Sequence, residues 1–268
     1  MSAPDRYEVD PNDPRAPSME MWERLPPSER RRIIAALPSE LELAPPEGDP
    51  HRLPKQRALG ALDAFFRSTG RRVYLSSELP VYYPGERVIA PDLIAVLDVE
   101  SHERDRWVVA AEGKGIDLAV EVTYEGSRKK DLEENVIRFA RLGIPEYFVF
   151  DRRDRRLYGW RLQPGNSSYV PIVPQQGRWA SSVLGLELAV EDDRFRFFAG
   201  SALVLEADEL LARANSLVDD LQNRLDESQR RVEEEARRAE EEARRAKVAE
   251  QRVQELEAEL QRLKKERS

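Results

Sequence analysis

Between Pro91 and Asp151 the chain alternates short apolar runs with polar segments. Residues 93–97 and 118–122 are aliphatic runs bounded by polar residues, a pattern that predicts strands buried on at least one face. Each has a carboxylate at an end: Asp92 opens the first and Glu121 lies near the end of the second. If these strands pair, the two acids meet at one edge of the sheet. Past the basic turn Arg128-Lys129-Lys130, apolar residues recur at Leu132, Val136, Phe139, Ala140 and Leu142, which predicts a helix. Gly143 stops it and Pro145 prevents its continuation. Residues 147–150 form the next strand. A strand, helix, strand order with short connections predicts a right-handed parallel crossover, with Glu121 beside the helix start.

Upstream, residues 28–37 predict a short helix capped by Ser28, ended by Pro38 and packed on the domain. In residues 53–68, Leu59, Leu62, Phe65 and Phe66 fall at helical spacing, and Gly70 closes the segment. His51 and Gln56 lie near the start of this helix. Residues 72–76 and 79–83 read as strand pieces joined through the turn Pro84-Gly85-Glu86 to the strand after Asp92, an antiparallel meander. Residues 100–115 read as a polar excursion anchored at Trp107-Val108-Val109 by a strand or a helical turn. Lys114 is an amine within reach of the Glu121 strand. Downstream, Arg152 to Arg156 joins residues 147–150 to 157–161 as a hairpin. Its tip is the most basic short patch of the chain, and it is either solvated or a phosphate contact. Further strands at residues 169–173, 184–190 and 195–198 extend or cap the sheet, with Trp160 and Trp179 helping to bury it.

The pattern changes near Ser201. Neither glycine nor proline occurs after Gly200. With Val218 at heptad position a, the a positions are Leu211, Val218, Leu225, Val232, Ala239, Ala246, Val253 and Leu260, all apolar. The d positions are apolar at both ends but include Ser228, Glu235 and Glu242 in the middle. A period of 3.5 sustained this far predicts a left-handed coiled coil, and hence a homodimer through residues 203–268. The repeat EEEARRAEEEARRA in its centre equally describes a single helix held by Glu–Arg pairs, each contributing ~0.2–0.5 kcal/mol.

Composition narrows the chemistry. The 268 residues allow at most two folded units, and the first ~200 suffice for one sizeable core. We expect a proline-rich extension over residues 1–50, a folded domain over 51–200 and a helix over 201–268. The absence of cysteine excludes disulfides, thiolate nucleophiles and zinc–thiolate sites. Two histidines, His51 and His102, cannot form a histidine-rich metal cluster. No apolar run approaches the ~20 residues that span a bilayer, and the N-terminus lacks the basic-then-apolar order of a signal peptide. The expectation is a cytoplasmic protein without membrane association. A net charge of −8 has the wrong sign for a chain dominated by nucleic-acid contacts. DNA binding would therefore rely on local basic patches or a metal-bridged contact.

Pro91-Asp92, then Glu121-Val122-Thr123, then Asp131, then Gly143-Ile144-Pro145-Glu146-Tyr147 follow in an order that resembles the Uma-type restriction endonuclease family of the PD-(D/E)xK superfamily, over roughly residues 55–165. That family places a PD strand, an E-V-x-S strand, a D-x-x-x-K-x-x-x-Y helix and a G-V-P-E-Y-W strand in this sequence. Asp131 matches the helix aspartate, Phe139 stands for its tyrosine and Ile144 for the valine. The resemblance implies an α/β fold, a restriction-endonuclease-like mixed central sheet flanked by helices, followed here by the long C-terminal coiled-coil helix. It also implies a metal-dependent DNA endonuclease, with Mg2+ or Mn2+ held by Asp92, Glu121 and the backbone carbonyl of Val122. Hard oxygen donors suit such a cation, which neutralises phosphate and acidifies a water. Gln56 on the first helix is a candidate helper.

The chain also departs from the pattern. The superfamily lysine two residues after the glutamate is Thr123, the alternative lysine four residues after the helix aspartate is Asn135, and the serine is Tyr124. Lys130 is the expected substitute cation, with Lys129 beside it. Loss of both customary lysines keeps a second class open: a nuclease-fold protein with reduced catalysis that works as a DNA-binding or assembly module through its coiled coil.

Overall fold

A computed structural model describes residues 6–39, 48–124 and 128–266. The chain divides into two compact units, Met1–Ala207 and Asp208–Ser268. In chain order the helices are α1 (Met19–Arg24), α2 (Pro27–Ala36), α3 (Asp49–Thr69), α4 (Val109–Glu112), α5 (Asn135–Arg141) and α6 (Ala207–Glu266). The strands are β1 (Val73–Ser76), β2 (Val81–Tyr82), β3 (Leu93–Leu97), β4 (Trp107–Val108), β5 (Leu118–Thr123), β6 (Glu146–Asp151), β7 (Arg156–Leu162), β8 (Tyr169–Pro171), β9 (Trp179–Ser181), β10 (Leu186–Glu191), β11 (Arg194–Ala199) and β12 (Ala202–Leu203). Among the described residues, no helix is long and apolar enough to cross a membrane.

The central sheet of the first unit runs β1-β3-β5-β6-β7-β8. β5 and β6 are parallel, and the other neighbouring pairs are antiparallel. This is the mixed α/β sheet that the sequence predicts. β5 and β6 are buried at every position, as strands covered on both faces must be. Their alternate residues serve two separate cores. Leu93, Val120, Phe148 and Phe150 pack with Ala58, Leu62 and Phe66 of α3 and with Leu188 and Phe197. Ile94, Val96, Ala119, Tyr147 and Val149 pack with Phe139 of α5 and with Trp107. By the same alternation Asp92 and Glu121 belong to the second of these faces.

Several expectations need correction. Residues 79–83 do not continue the meander, because β2 pairs in parallel with β4 in a separate two-stranded sheet. Pro80 and Pro84 flank this piece, and residues without an N–H cannot sustain a ladder in a central sheet. The segment 107–112 is both a strand and a helical turn. Only β8 extends the central sheet. β9 to β12 form a four-stranded sheet, β12-β11-β10-β9, whose Leu188, Phe195 and Phe197 enter the α3-side core, so this sheet caps rather than extends. In α2, Pro26 holds the N-cap position, and Ser28 lies inside the first turn instead of capping it. Its Ile33 packs with Trp22, Leu37, Tyr82 and Val108, which fastens residues 16–37 to the domain.

α3 starts at Asp49, four residues earlier than the periodicity predicts, and contains Pro54. A helical proline leaves the carbonyl four residues before it without its usual donor. That carbonyl, on Pro50, accepts a hydrogen bond from the Arg152 guanidinium on the β6–β7 turn. The first turn of α3 is thereby tied to the end of β6. At its other end Gly70 closes the helix in the left-handed conformation, φ 68°.

The second unit consists of α6, 60 residues long with its first residue at the unit boundary. Leu211, Val218, Leu225, Val232 and Val253 of the a row are exposed, as are Leu221 and Leu256 of the d row. Asp220–Arg224 and Glu241–Arg245 form ion pairs across one turn of this helix, with the acid on the N-terminal side as the helix dipole favours.

Candidate functional site

The β3–β5 ladder ends at Leu93 opposite Val120. One step further would set Asp92 against Glu121, and the next would need an N–H from Pro91, which has none. The Asp92 side chain takes over the ladder's role: its Oδ2 accepts the Val122 N–H at 2.6 Å. In an extended strand the N–H and carbonyl of one residue point to the same side, so the Val122 carbonyl also faces past the end of β3. The Asp92 carboxylate has further partners. His51 Nε2 lies 3.3 Å from Oδ2 and Lys55 Nζ 3.4 Å from Oδ1. Ser77 Oγ donates to the Asp92 carbonyl at 2.7 Å.

Glu121 lies among acids. Its Oε1 accepts from Asn135 Nδ2 at 3.4 Å, and the same amide reaches Asp131 Oδ1 at 3.3 Å. Thr123 Oγ1 donates to Asp131 Oδ2 at 2.7 Å, and the Tyr147 hydroxyl donates to the Asp131 carbonyl at 2.9 Å. The backbone device behind this is a π-helical turn, Lys130–Glu134, which runs directly into α5. Such turns mark functional sites in helices. Asp131 in this turn and Asn135 just after it, four residues apart and so on one helix face, are both buried.

The charges follow from this crowding. Burial, reinforced by the neighbouring Asp92 and Asp131 carboxyls, holds Glu121 well above the ordinary carboxylate range, and Lys130 opposes this only in part. Asp92 goes the other way. Burial would raise it, but the hydrogen bond and charge of His51, the Val122 N–H and the Lys55 charge outweigh that and leave it lowered. Asp131 is raised by burial against the pull of Thr123 and Lys130. Asp92 and Glu121 are neighbours in the fold, since the Asp92 carboxylate bonds the N–H of the residue after Glu121, and the Asp92 charge helps to raise Glu121.

The other expected site residues divide. Thr123, Asp131 and Asn135 join the buried network. Lys130 is exposed at the start of the π turn, and its charge reaches both Glu121 and Asp131. Lys129 is exposed beside it. Gln56 is exposed on α3 and accepts from Arg52 at 2.7 Å, outside the cluster. Lys114 serves Asp117, at 2.8 Å, and the Leu97 carbonyl. Tyr124 is exposed.

Sequence reasoning missed Lys55 and Glu78, and noted His51 without assigning it. Lys55 is 4% exposed and ion-paired with both Glu78 and Asp92. The signal was available: Lys55 shares a helical face with Ala58, Leu62 and Phe66, and a lysine on an apolar stripe must have a partner inside.

Among the described residues, no group of three or more His, Asp or Glu side chains forms a metal cage. What the corner offers is smaller: the Asp92 and Glu121 carboxyls and a backbone carbonyl on the same side. This all-oxygen partial shell fits a hard cation that keeps several waters, and such a cation would offset the burial and the neighbouring carboxyls that raise Glu121.

Residues 19–191 match the family Uma2, described as "putative restriction endonuclease". Among solved structures, a putative nuclease from Anabaena variabilis is similar, with 14% sequence identity and a TM-score of 0.45, covering 66% of this chain and 96% of that one. None of the curated proteins matches the chain.

Proposed function

Since the chain belongs to the Uma2 family of putative restriction endonucleases, we propose that it hydrolyses phosphodiester bonds in DNA, as a metal-dependent endonuclease, at the Asp92–Glu121 corner. One observation carries this reading: two buried carboxyls, 29 positions apart in sequence, converge on one sheet face where a ladder ends. Asp92 and Glu121, with the Val122 carbonyl, are the groups that would hold Mg2+ or Mn2+. Such a cation neutralises phosphate charge and acidifies a water.

The chain's own residues prepare that corner. The Val122 N–H and His51 keep the Asp92 carboxylate ionised and fixed. Asn135 donates to Glu121 from the helix side and shares its amide with Asp131, which Thr123 holds from β5. Around the rim, Lys129, Lys130 and Arg153 are exposed near the ends of β5 and β6, beside Arg128, whose guanidinium is paired with Asp151 and Asp154. These supply a local positive field for a DNA backbone despite the net charge of −8. Lys130 is the rim cation nearest the carboxyls in effect, since its charge acts on Glu121.

The test is cleavage of plasmid DNA. Mg2+-dependent nicking by the full chain, abolished in Asp92→Ala and Glu121→Ala, is the expected result. Metal binding by calorimetry without turnover would instead favour the alternative, a nuclease-fold protein that binds DNA or assembles through α6. That alternative draws on Thr123 and Asn135, which stand at the customary lysine positions and are neutral partners of Asp131. Under either reading the exposed a row of α6, Leu211, Val218, Leu225 and Val232, would be covered by the same helix of a second copy.

A further inference from the structure

The amine at the carboxylate corner is on α3. We propose that Lys55 is the inner cation of the site: its ammonium, positioned by Glu78, donates a hydrogen bond to a non-bridging phosphate oxygen of the bound backbone. This rests on reading the corner as a hydrolytic site, and it assigns a role that Thr123 and Asn135, both uncharged, cannot fill.

Three observations support it. First, Lys55 is buried on the core-facing stripe of α3, next to Ala58 and Leu62. Taking an ammonium out of water costs several kcal/mol unless carboxylates repay it, and at this position alanine or leucine would continue the stripe. Second, the ammonium sits 3.4 Å from Asp92 Oδ1, on the carboxylate that carries the site, while the other oxygen of Asp92 is already served by Val122 and His51. Third, the turn that holds Lys55 is strained. Glu78 adopts φ 56°, a left-handed conformation that costs a residue with a side chain about 1–3 kcal/mol. Its N–H bonds the Pro91 carbonyl at 3.1 Å, and its neighbour Ser77 bonds the Asp92 carbonyl. One turn thus grips the main chain on both sides of the Pro91–Asp92 bond and pairs with the Lys55 ammonium at the same time.

The exposure of the partners sets the direction of approach. The Asp92 side chain is 10% exposed and that of Glu78 52%. Glu78 therefore lies at the mouth of the corner with the buried ammonium behind it, where a phosphate oxygen can share the ammonium with the Glu78 carboxylate. During hydrolysis the water oxygen forms the new bond to phosphorus and its proton passes to solvent, the ester P–O bond breaks with its electron pair on the leaving oxygen, which takes a proton from solvent, and Lys55 keeps its own proton throughout. Its contribution is fixed positive charge held against the phosphate, an effect that costs about 10²–10³ in rate when one such donor is removed.

Because the chain has no cysteine, the test can be made at one atom. Lys55→Cys is prepared in the full chain, alkylated under denaturing conditions with 2-bromoethylamine to restore an ammonium of nearly lysine length, or with iodoacetamide to give a neutral side chain, and refolded. Plasmid cleavage with Mg2+, DNA affinity without divalent cation and Tm are measured beside wild type, Lys55→Met and Asp92→Ala. The expected result is a ~100-fold or greater fall in kcat for Lys55→Met and for the neutral adduct, DNA affinity within ~3-fold of wild type, and recovery to within ~10-fold in the aminoethyl adduct. Cleavage by Lys55→Met or the neutral adduct within ~3-fold of wild type, with Asp92→Ala inactive, would overturn the role of Lys55 and leave the site. Full activity in Asp92→Ala would overturn the hydrolytic reading and this inference with it. If the uncharged variants do not fold, a folded aminoethyl adduct as inactive as Asp92→Ala overturns the proposal, and one with restored cleavage supports it.

Discussion

Glu121 and Glu146 are buried on adjacent strands of the same sheet, and they are treated in opposite ways. In the parallel β5–β6 register Glu146 stands opposite Leu118 and Glu121 opposite Val149, so the two lie about 10 Å apart along the strands. Glu146 is fully buried and surrounded by donors: Arg161 Nε at 2.8 Å, the Ser182 N–H at 2.9 Å, Ser182 Oγ at 2.7 Å and the Ser181 hydroxyl. It bolts β6 to the capping sheet. Among the described residues Glu121 accepts from the Asn135 amide at 3.4 Å and has two carboxyl neighbours. Burial of an acid is common to both positions, so burial alone says nothing about function. The donor count separates them. An acid whose lone pairs are all taken has nothing left to offer a ligand, and an acid packed against acids is unstable until a proton or a cation arrives.

The largest break between the two lies in activity against stability. Glu121→Ala should lower Mg2+-dependent cleavage by about three orders of magnitude with a modest change in folding. Glu146→Gln puts an amide against the serine and arginine donors and should destabilise the fold by on the order of 3 kcal/mol in urea unfolding, with cleavage per folded molecule unchanged. Equal losses of activity in both variants would erase the distinction. Divalent cation gives the next test. At one hundred times its Kd a ligand of the folded state stabilises it by about 2.7 kcal/mol. Mg2+ should therefore raise Tm in wild type and in Glu146→Gln, and not in Glu121→Ala or Asp92→Ala. A matching shift in all four would place the ion elsewhere.

The sheet and its two acids were legible in the sequence for different reasons. The short aliphatic runs at residues 93–97 and 118–122 report burial directly, and that is where β3 and β5 lie. The acids stood out through their order relative to Asp131 and Gly143. What an apolar run cannot say is which sheet a strand joins, since that depends on distant partners; residues 79–83 went astray on this point, and for residues 184–198 the choice between extending and capping the sheet stayed open. The miss at α3 was a matter of one residue. Gln56 is polar and near the expected helix start, but it lies about 100° around the helix from Lys55, which is enough to turn it outward. The periodicity of Ala58, Leu62 and Phe66, followed one turn back, lands on Lys55. The proline at position 54 was equally visible, but its consequence, a carbonyl claimed by Arg152 from across the chain, was not.

A smaller effect sharpens the electrostatic side of the comparison. Glu121 is held above the ordinary glutamate value of 4.5, so the folded state retains a proton that the unfolded chain has released. An acid raised in this way stabilises the fold below about 4.5 and progressively loses that contribution as pH rises through the raised value. Asp92 is lowered from 3.8, and its contribution is lost only as pH falls below that range, outside the window of interest. Without divalent cation, Glu121→Gln should therefore melt higher than wild type by a few degrees at pH 8, and the gap should close toward pH 5. A gap that widens on acidification would mean that Glu121 is not the proton-retaining member of the pair.

The smallest expected effect concerns the cations that serve the two glutamates. Arg161 donates directly to Glu146, whereas Lys130 acts on Glu121 from the exposed start of the π turn, through charge. Exposed charges are screened and weak, so Lys130→Ala should lower cleavage by only about two- to fivefold. Loss of that charge also removes what holds Glu121 and Asp131 down, so the variant should need a higher pH or more Mg2+ to reach its best rate. Lys129→Ala, one residue further from the carboxyls in effect, should change the rate less than about twofold. Raising the salt concentration should shrink the difference between Lys130→Ala and wild type, because the interaction it removes crosses solvent. If both lysine variants cleave at the wild-type rate at every salt concentration, neither belongs to the mechanism, and the positive charge that the corner requires must come from within it.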